Sequence, residues 1–469
     1  MSLFFEKTLA GMLPGGFSAE IRTAGGDFQE LFVCRSASNC DDGHRNGGSE
    51  GIISYAADEA VELRFTFPAE IASAVCRPGR DEQVEINGNT VSVKLPEPRY
   101  WVLEVNFASG KLPHYLCCCF GDLPVETPAM PMHLLMPGIH KQDEFASQHA
   151  FHFAAGVHEM AEGVLNLKSG DRLFLDRGAV LRFGLAAENA DDIEVSGQGI
   201  LDGSSTLRPA GINHLADDGG GAFLRFVFGK SIYIEDVMIY NPPFWTIVPG
   251  GVEDFQLRNV KVVGWIINND GVQPRSVTNL TVEHCFLKCC DDSIAIKTRR
   301  KLGLVSGHHV YRDLVIWQDS FGSGLEIGHS AQGNILEDLR FEDIDLIHGN
   351  SWDGCSAIDL HIVDHCLVRN LRYKNIRCEG VPFAHDCRFV VPGRVSLWRS
   401  DSDNGKVDDI VIENLQVDHA PKSLILRGCD EGHGIRNVKM QNICFAGKKL
   451  TSLNEWPHEI TFSDVPELK

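Results

Sequence analysis

The chain has 469 residues, 64 Asp and Glu against 43 Lys and Arg, and a formal net charge of −21; it is long enough for two domains, and acidity spread along its whole length disfavours nucleic acid and anionic membranes as partners. No apolar run reaches the roughly 18 residues of a transmembrane helix, and the start, Met1-Ser2-Leu3-Phe4-Phe5-Glu6-Lys7, lacks the basic and apolar regions of a secretory signal. Fifteen cysteines, with neighbours such as Cys117-Cys118-Cys119 and Cys289-Cys290, match no zinc spacing and suit buried thiols in a reducing cytoplasm.

Residues 1–130 carry separate strand-like runs, among them Val61 to Phe67 and Thr90 to Leu95, with a hairpin signal at Asn87-Gly88. Spaced strands without helical periodicity predict a small antiparallel β-sandwich. Pro124, Pro128, Pro131 and Pro137 mark a linker, taken as residues 131–149.

From 150 to 469 a unit recurs in which apolar residues alternate around a central Asn or Asp. Ser231 to Ile239 is one copy, Asp254 to Val262 the next, and Asn279 to Leu287 a third. Later copies begin near Val310, Leu339, Leu371, Ile410 and Val438, and an earlier one surrounds Ile193. Period-2 alternation inside a repeat of about 20 to 30 residues means short strands in stacked coils. The expected fold is all-β: a right-handed parallel β-helix with an Asn or Asp at each bend. A leucine-rich repeat lacks support because its helical segments are missing, and a propeller would need antiparallel blades of about 40 residues. A helix or two near mid-chain is expected to cap the stack.

Chemistry concentrates between Asn241 and Asp359. Asp270 and Asp291 lie 21 residues apart, about one coil, and Asp292 follows directly. Aligning the coils puts Val272, Ile294, Leu325 and Ile358 in one inward column, so Gln273, Ala295, Glu326 and Asp359 face outward. Acids on adjacent coils, about 4.8 Å apart, can splay to the roughly 6.5–9.5 Å that water-mediated glycoside hydrolysis uses. A regular strand would send Asp291 and Asp292 to opposite faces, so the Cys-Cys-Asp-Asp run must bend for both to reach one cleft. Asp-Gly and Asp-Asp are also ordinary bend formers, and clustered carboxylates suit calcium. Trp245 is a candidate sugar-stacking ring or a core residue beside Phe244. Lys297 can bind a hydroxyl or hold Asp292 ionised. His329 and His361, beside Glu326 and Asp359, are more simply hydrogen-bonded than metal-ligating, and no metal or cofactor is expected.

Asn241-Pro242-Pro243-Phe244-Trp245-Thr246-Ile247, Asn268-Asn269-Asp270-Gly271 and Asp291-Asp292-Ser293-Ile294-Ala295-Ile296-Lys297, in that order, resemble glycoside hydrolase family 28, the polygalacturonase family, over residues 150 to 445. Asn269 stands where that family's motif has Thr. The resemblance implies Asp291 as general acid, Asp270 and Asp292 holding the attacking water, and inversion at the anomeric carbon. Two departures bear on substrate. The family's Gly-His-Gly is Gly322-Ser323-Gly324 here, and its Arg-Ile-Lys, which would grip a uronate, aligns on Asp359-Leu360-His361. Val315-Ile316-Trp317 and Leu325-Glu326-Ile327-Gly328 are also similar to glycoside hydrolase family 49, the dextranase and isopullulanase family, which pairs a β-sandwich with a β-helix and acts on neutral α-glucans.

The expectation is therefore an inverting glycoside hydrolase acting on oligo- or polysaccharides that are neutral rather than polygalacturonate, with Trp245, Gln273, Lys297, Ser323, Glu326, Asp359 and His361 binding substrate. A true pectic hydrolase is the nearest alternative. Outside hydrolases stand a calcium-dependent β-helix lyase, which would need a basic catalytic Arg or Lys, and a non-catalytic carbohydrate-binding solenoid, which has no use for three clustered acids. The sequence carries no sign of oligomeric state.

Overall fold

The computed structural model describes residues 2–3, 16–35, 49–80, 82–109, 115–206, 220–318, 320–350, 352–391 and 404–469. The amino-terminal unit is a β-sandwich. One sheet orders Gln29–Leu31, Ser18–Thr23, Val61–Thr66, Thr90–Leu95 and Gln83–Asn87, all antiparallel. The other orders Ser49–Ala56, Tyr115–Asp122, Tyr100–Phe107 and Ile71–Arg77, and here Ser49–Ala56 and Tyr115–Asp122 run parallel. Val61–Thr66 alternates buried and half-buried residues, as a strand covering a core should. The expected hairpin exists with its tip one residue on: Asn87 pairs with Thr90, leaving Gly88 (φ +62°) and Asn89 as the turn. A positive φ at the first turn position is where a Gly-first hairpin turn needs glycine.

Tyr115–Asp122 is buried on both faces. Cys117 and Cys119 enter the sandwich core with Leu63 and Trp101, while Cys118 and Phe120 meet Trp265 and Phe286 of the solenoid. Strand alternation thus separates adjacent thiols, and no disulfide occurs among the described residues. At the same junction Lys261 Nζ lies 3.0 Å from Asp122, neither side chain having any exposed surface, and the Tyr100 hydroxyl donates to Asp122 at 2.7 Å.

The remainder is a right-handed parallel β-helix. It begins earlier than expected. His133–Leu135 and Gly138–His140 already pair in parallel with Ala150–Phe153 and Gly156–Met160. Residues 131–149 are the first coil, not a linker, and their prolines sit outside the short strands, where a missing N–H costs no ladder bond. No α-helix occurs among the described residues, so none of them forms the expected helical cap; two short 3₁₀ turns, Gln142–Phe145 and Leu453–Glu455, are present.

A 20-stranded sheet wraps two faces of the solenoid. Its inward column runs Ile193, Ile232, Phe255, Leu280, His309, Leu339, Leu371, Ile410 and Val438. The fifth place belongs to His309, not to Val310: a one-residue slip that exchanges the faces of a strand. His309 is fully buried, its ring nitrogen 3.0 Å from the Val277 carbonyl, and burial brings its pKa down to about 4, so it packs as a neutral ring. Tyr311, Phe341 and Tyr373 stack above one another at 4.9 and 4.7 Å. Bends between the two faces fall on Asp236, Asn259, His284, Asp313, Asp343, Asn375, Asn414 and Asn442, all with φ between 53° and 66°. Asn and Asp tolerate that left-handed geometry better than other residues with a Cβ. Their side chains bond the neighbouring coil rather than their own backbone: Asn442 donates to Asn414 at 2.8 Å, and Asn414 to Asn375 at 2.7 Å.

The third face carries the site. Ile247–Gly250 is joined through bridges at Val272 to Ile294–Thr298, then Leu325–Ala331, Ser356–His361 and His385–Val390. Val272, Ile294, Leu325 and Ile358 form the expected inward column, continued by Cys387.

Candidate active site

The acids stack at one corner, where the long strands of the 20-stranded sheet turn into the site sheet. Asn268 to Asp270 follow Lys261–Val263. One coil on, Thr278–Cys289 ends and the chain bends through Asp291 and Asp292 before Ile294–Thr298 begins. That bend frees the two adjacent carboxylates from strand alternation. It is held by Gly322 of the next coil (φ +93°), where a Cβ would fall 2.4 Å from the Asp292 nitrogen and 2.5 Å from the Asp291 carbonyl carbon.

Asp291 is half-buried, and Asp270 and Asp292 are buried. Asn268 donates to Asp291 Oδ2 at 3.4 Å, and the Asp292 N–H to its Oδ1 at 3.0 Å. Asp292 accepts the Ser323 N–H at 2.7 Å. Asp270 accepts from Gln273, with Lys297 Nζ 3.8 Å away. Burial, then repulsion from Asp270, pushes the Asp291 carboxyl up to about 7. Burial, with repulsion from Glu326, Asp291 and Asp270, holds Asp292 well above the usual carboxylate range. Burial also raises Asp270, against the pull of Lys297 and Gln273. Carboxylates that repel in a dry corner share their protons, so the group holds both a proton donor and an ionised acceptor near neutrality. Asn269, in the Thr position of the motif, is fully buried and donates to Thr246 Oγ1 at 2.7 Å, fastening the turn that presents Asp270.

The row beside the acids reads Gln273, Ala295, Glu326, Asp359 and then Arg388. Arg388 adds a permanent cation to a row whose four positions read from the sequence, Gln273, Ala295, Glu326 and Asp359, carry none. Its Nη2 donates to Asp359 at 2.6 Å and its Nε at 3.1 Å, while Ser323 Oγ donates to the same carboxylate at 2.7 Å. Asp359 is fully buried and Glu326 1% exposed, so neither is a surface acceptor for sugar hydroxyls. Burial and Glu326 hold Asp359 at about 7 despite Arg388. Burial works to raise Glu326 as well, but His329, 2.8 Å away, and Arg388 outweigh it and bring it down to about 2. His361 packs on His329 at 4.5 Å between ring centres, and burial lowers it to about 3. Gln273, fully buried, bonds Asp270 on one side and Arg275 on the other.

Trp245 is not the open platform expected. It is 4% exposed, with Phe244 at 4.3 Å and the Arg275 guanidinium 4.4 Å over its ring. Of the residues named from sequence, Asp291, Lys297 and His361 are half-buried and keep some exposed surface, whereas Asp270, Gln273, Asp292, Ser323, Glu326 and Asp359 are buried. Sequence reasoning missed Arg275 and Arg388. The signal for Arg388 was one more step of the same register; Arg275 lies two residues beyond Gln273, on the same face. No group of three His, Cys, Asp or Glu side chains among the described residues has metal-holding geometry.

The family model for glycosyl hydrolases family 28 matches residues 176–461. A polygalacturonase of Juniperus ashei is 21% identical over 287 residues, 56% of this chain and 53% of that protein. An endo-polygalacturonase of Pectobacterium carotovorum subsp. carotovorum is 24% identical over 233 residues, 48% and 52% of the two. The chain thus spans about half the length of these curated relatives. Among solved structures, Dex49A from Penicillium minioluteum superposes with a TM-score of 0.66 over 97% of this chain and 95% of that one, at 15% identity, and so shares the fold, sandwich included.

Proposed function

The chain belongs to glycosyl hydrolases family 28, and from that premise we propose that it is an inverting glycoside hydrolase that prefers neutral oligo- or polysaccharides to polygalacturonate. The observation that carries the reading is the corner of three carboxylates, one half-buried with its pKa at about 7. Asp291 stays protonated to neutral pH and donates to the leaving oxygen. Asp270, whose ionised form Gln273 and Lys297 support, deprotonates the attacking water, and Asp292, fixed by the Ser323 N–H, helps to hold that water in place.

The preference for neutral sugars rests on charge. The cations near the corner are already engaged by the chain's own groups, Lys297 lying 3.8 Å from Asp270. Arg388 already spends two of its donors on Asp359, and Arg275 lies behind Gln273. A uronate must displace an internal carboxylate to gain the bidentate grip a guanidinium offers. Pectic hydrolysis is the second reading, favoured by the presence of Arg388 in the cleft row at all. The deciding experiment offers isomalto-, malto- and galacturono-oligosaccharides of equal length and follows the anomer released by NMR. Inverted product from a neutral oligosaccharide, with oligogalacturonide turned over more slowly, is the expected result. Faster oligogalacturonide cleavage overturns the neutral preference, and a retained anomer overturns the mechanism.

A further inference from the structure

Tryptophan is costly to leave in water, and among the described residues all but one of the tryptophans are buried. Trp101, Trp245, Trp265, Trp317 and Trp456 are each 5% exposed or less, whereas Trp352 is 61% exposed. Its location is specific. The corner that carries Asp270 and then Asp291 and Asp292 carries Phe321 on the next coil and Trp352 on the one after, each in the bend before its site strand. Phe321 is half-buried, and its ring centre lies 6.1 Å from that of Trp352.

The bend is tied to the acids. The Trp352 N–H donates to Asn350 Oδ1 at 3.1 Å, and Asn350 Nδ2 donates to the Gly322 carbonyl at 3.1 Å and to Gln318. Gln318 Nε2 in turn donates to the Asp291 carbonyl at 3.0 Å. Beyond Trp352 the chain turns at Gly354 (φ +123°), whose missing side chain leaves clear the space between the indole and Arg388: a Cβ there would lie 4.0 Å from Trp352 Cζ3 and 3.6 Å from Arg388 Nη1. A large aromatic face is therefore held out of the core at a fixed distance from the catalytic corner, with Arg388 beside it to bond a hydroxyl.

We propose that Trp352, flanked by Phe321, is a stacking platform for a pyranose ring of the oligosaccharide substrate, in a subsite next to the one where the bond breaks. The inference rests on the glycosidase reading of the acid corner. An indole offers a flat apolar surface to the C–H face of a sugar, and the hydroxyl rim remains free to hydrogen-bond. Two coil spacings, about 10 Å, separate Trp352 from the Asp291 coil, which is the reach of a neighbouring ring rather than the reacting one. Trp352 is thus a positioning residue, and its role grows with substrate length.

The test uses Trp352→Ala and Trp352→Phe in the full chain, with isomalto- and maltooligosaccharides of two and four units as probes. Binding is followed by quenching of tryptophan emission in an Asp291→Asn background, where substrate is not consumed. We expect Trp352→Ala to unfold at the wild-type temperature, to raise KM for the tetrasaccharide about tenfold with kcat within about threefold, the scale of one lost aromatic stack, and to change the disaccharide less. Trp352→Phe should recover most of the loss, and the ligand-induced quench should vanish in Trp352→Ala. Unchanged tetrasaccharide KM and quench in Trp352→Ala overturn the platform. If the wild-type chain hydrolyses neither series, yet its emission is quenched by the tetrasaccharide and that quench disappears in Trp352→Ala, the platform stands and the proposed function falls.

Discussion

Replacing Asp291 by Asn should abolish turnover and, at alkaline pH, stabilise the fold. Asn keeps the size, and its single amide oxygen can still accept the Asp292 N–H where Asp291 Oδ1 does at 3.0 Å, giving up only the long bond from Asn268 at 3.4 Å. It removes the transferable proton and the charge. The carboxyl moves from 3.8 to about 7 on folding, through burial first and Asp270 second. The sign follows: between those values the native state binds the extra proton, so Asp291 lowers stability progressively as pH rises from about 4 to 7, and the full penalty applies above. The displacement corresponds to about 4 kcal/mol as a ceiling. Partial exposure screens it, so about 1–3 kcal/mol at pH 8 and nearly nothing at pH 4 is the expected gain for Asp291→Asn. Urea unfolding at the two pH values reads this directly. Activity should fall by about 10²–10⁴ on an ordinary glycoside, the scale of general acid catalysis, and much less on a glycosyl fluoride, whose leaving group needs no proton. An Asn variant that turns over ordinary glycosides, or that unfolds at lower urea than wild type at pH 8, would refute the assignment.

Arg388→Met should cost about 3–5 kcal/mol, because it strands the fully buried Asp359 without its guanidinium; Arg388→Met with Asp359→Leu should recover much of that in the same unfolding assay. His309→Leu should blunt acid sensitivity. The lowered pKa of about 4 means that the fold loses stability as pH falls from about 6.5 to 4, and a thermal-unfolding series across that range should flatten in the variant.

Much of this molecule is written in its pattern. The inward columns follow from period-2 alternation, and the bends follow from Asn and Asp, because only a few residue types accept a left-handed backbone. The acid corner was legible because Asp270 lies one coil before the adjacent Asp291 and Asp292, and because the motifs around them resemble those of a glycosidase family, which outweighs the plain reading as bend formers. His309 was misplaced because hydropathy prefers Val310, and only the pairing Leu280, His309, Leu339 shows that a neutral imidazole fills the core position. Residues 131–149 were misread because proline density marks linkers and the gaps between very short strands alike. Trp245 and Trp352 could not be told apart by alternation, since each lies in a bend whose path depends on contacts with other coils. Asp359 looked like a cleft acceptor because its partner Arg388 is 29 residues away in sequence and meets it only through the register.

The doubly buried strand Tyr115–Asp122 has a mechanical consequence. Its odd cysteines belong to one core and its even neighbours to the other, so neither unit can loosen that strand without opening both. The sandwich is then less an appendage than a splint along one wall of the solenoid. Detaching it would bare Trp265, Phe286 and Trp317 together and leave Lys261 without the carboxylate beside it. Melting of the two units as a single cooperative event, rather than in sequence, is what such shared backbone dictates, and coils far from the acid corner thereby help to keep that corner still.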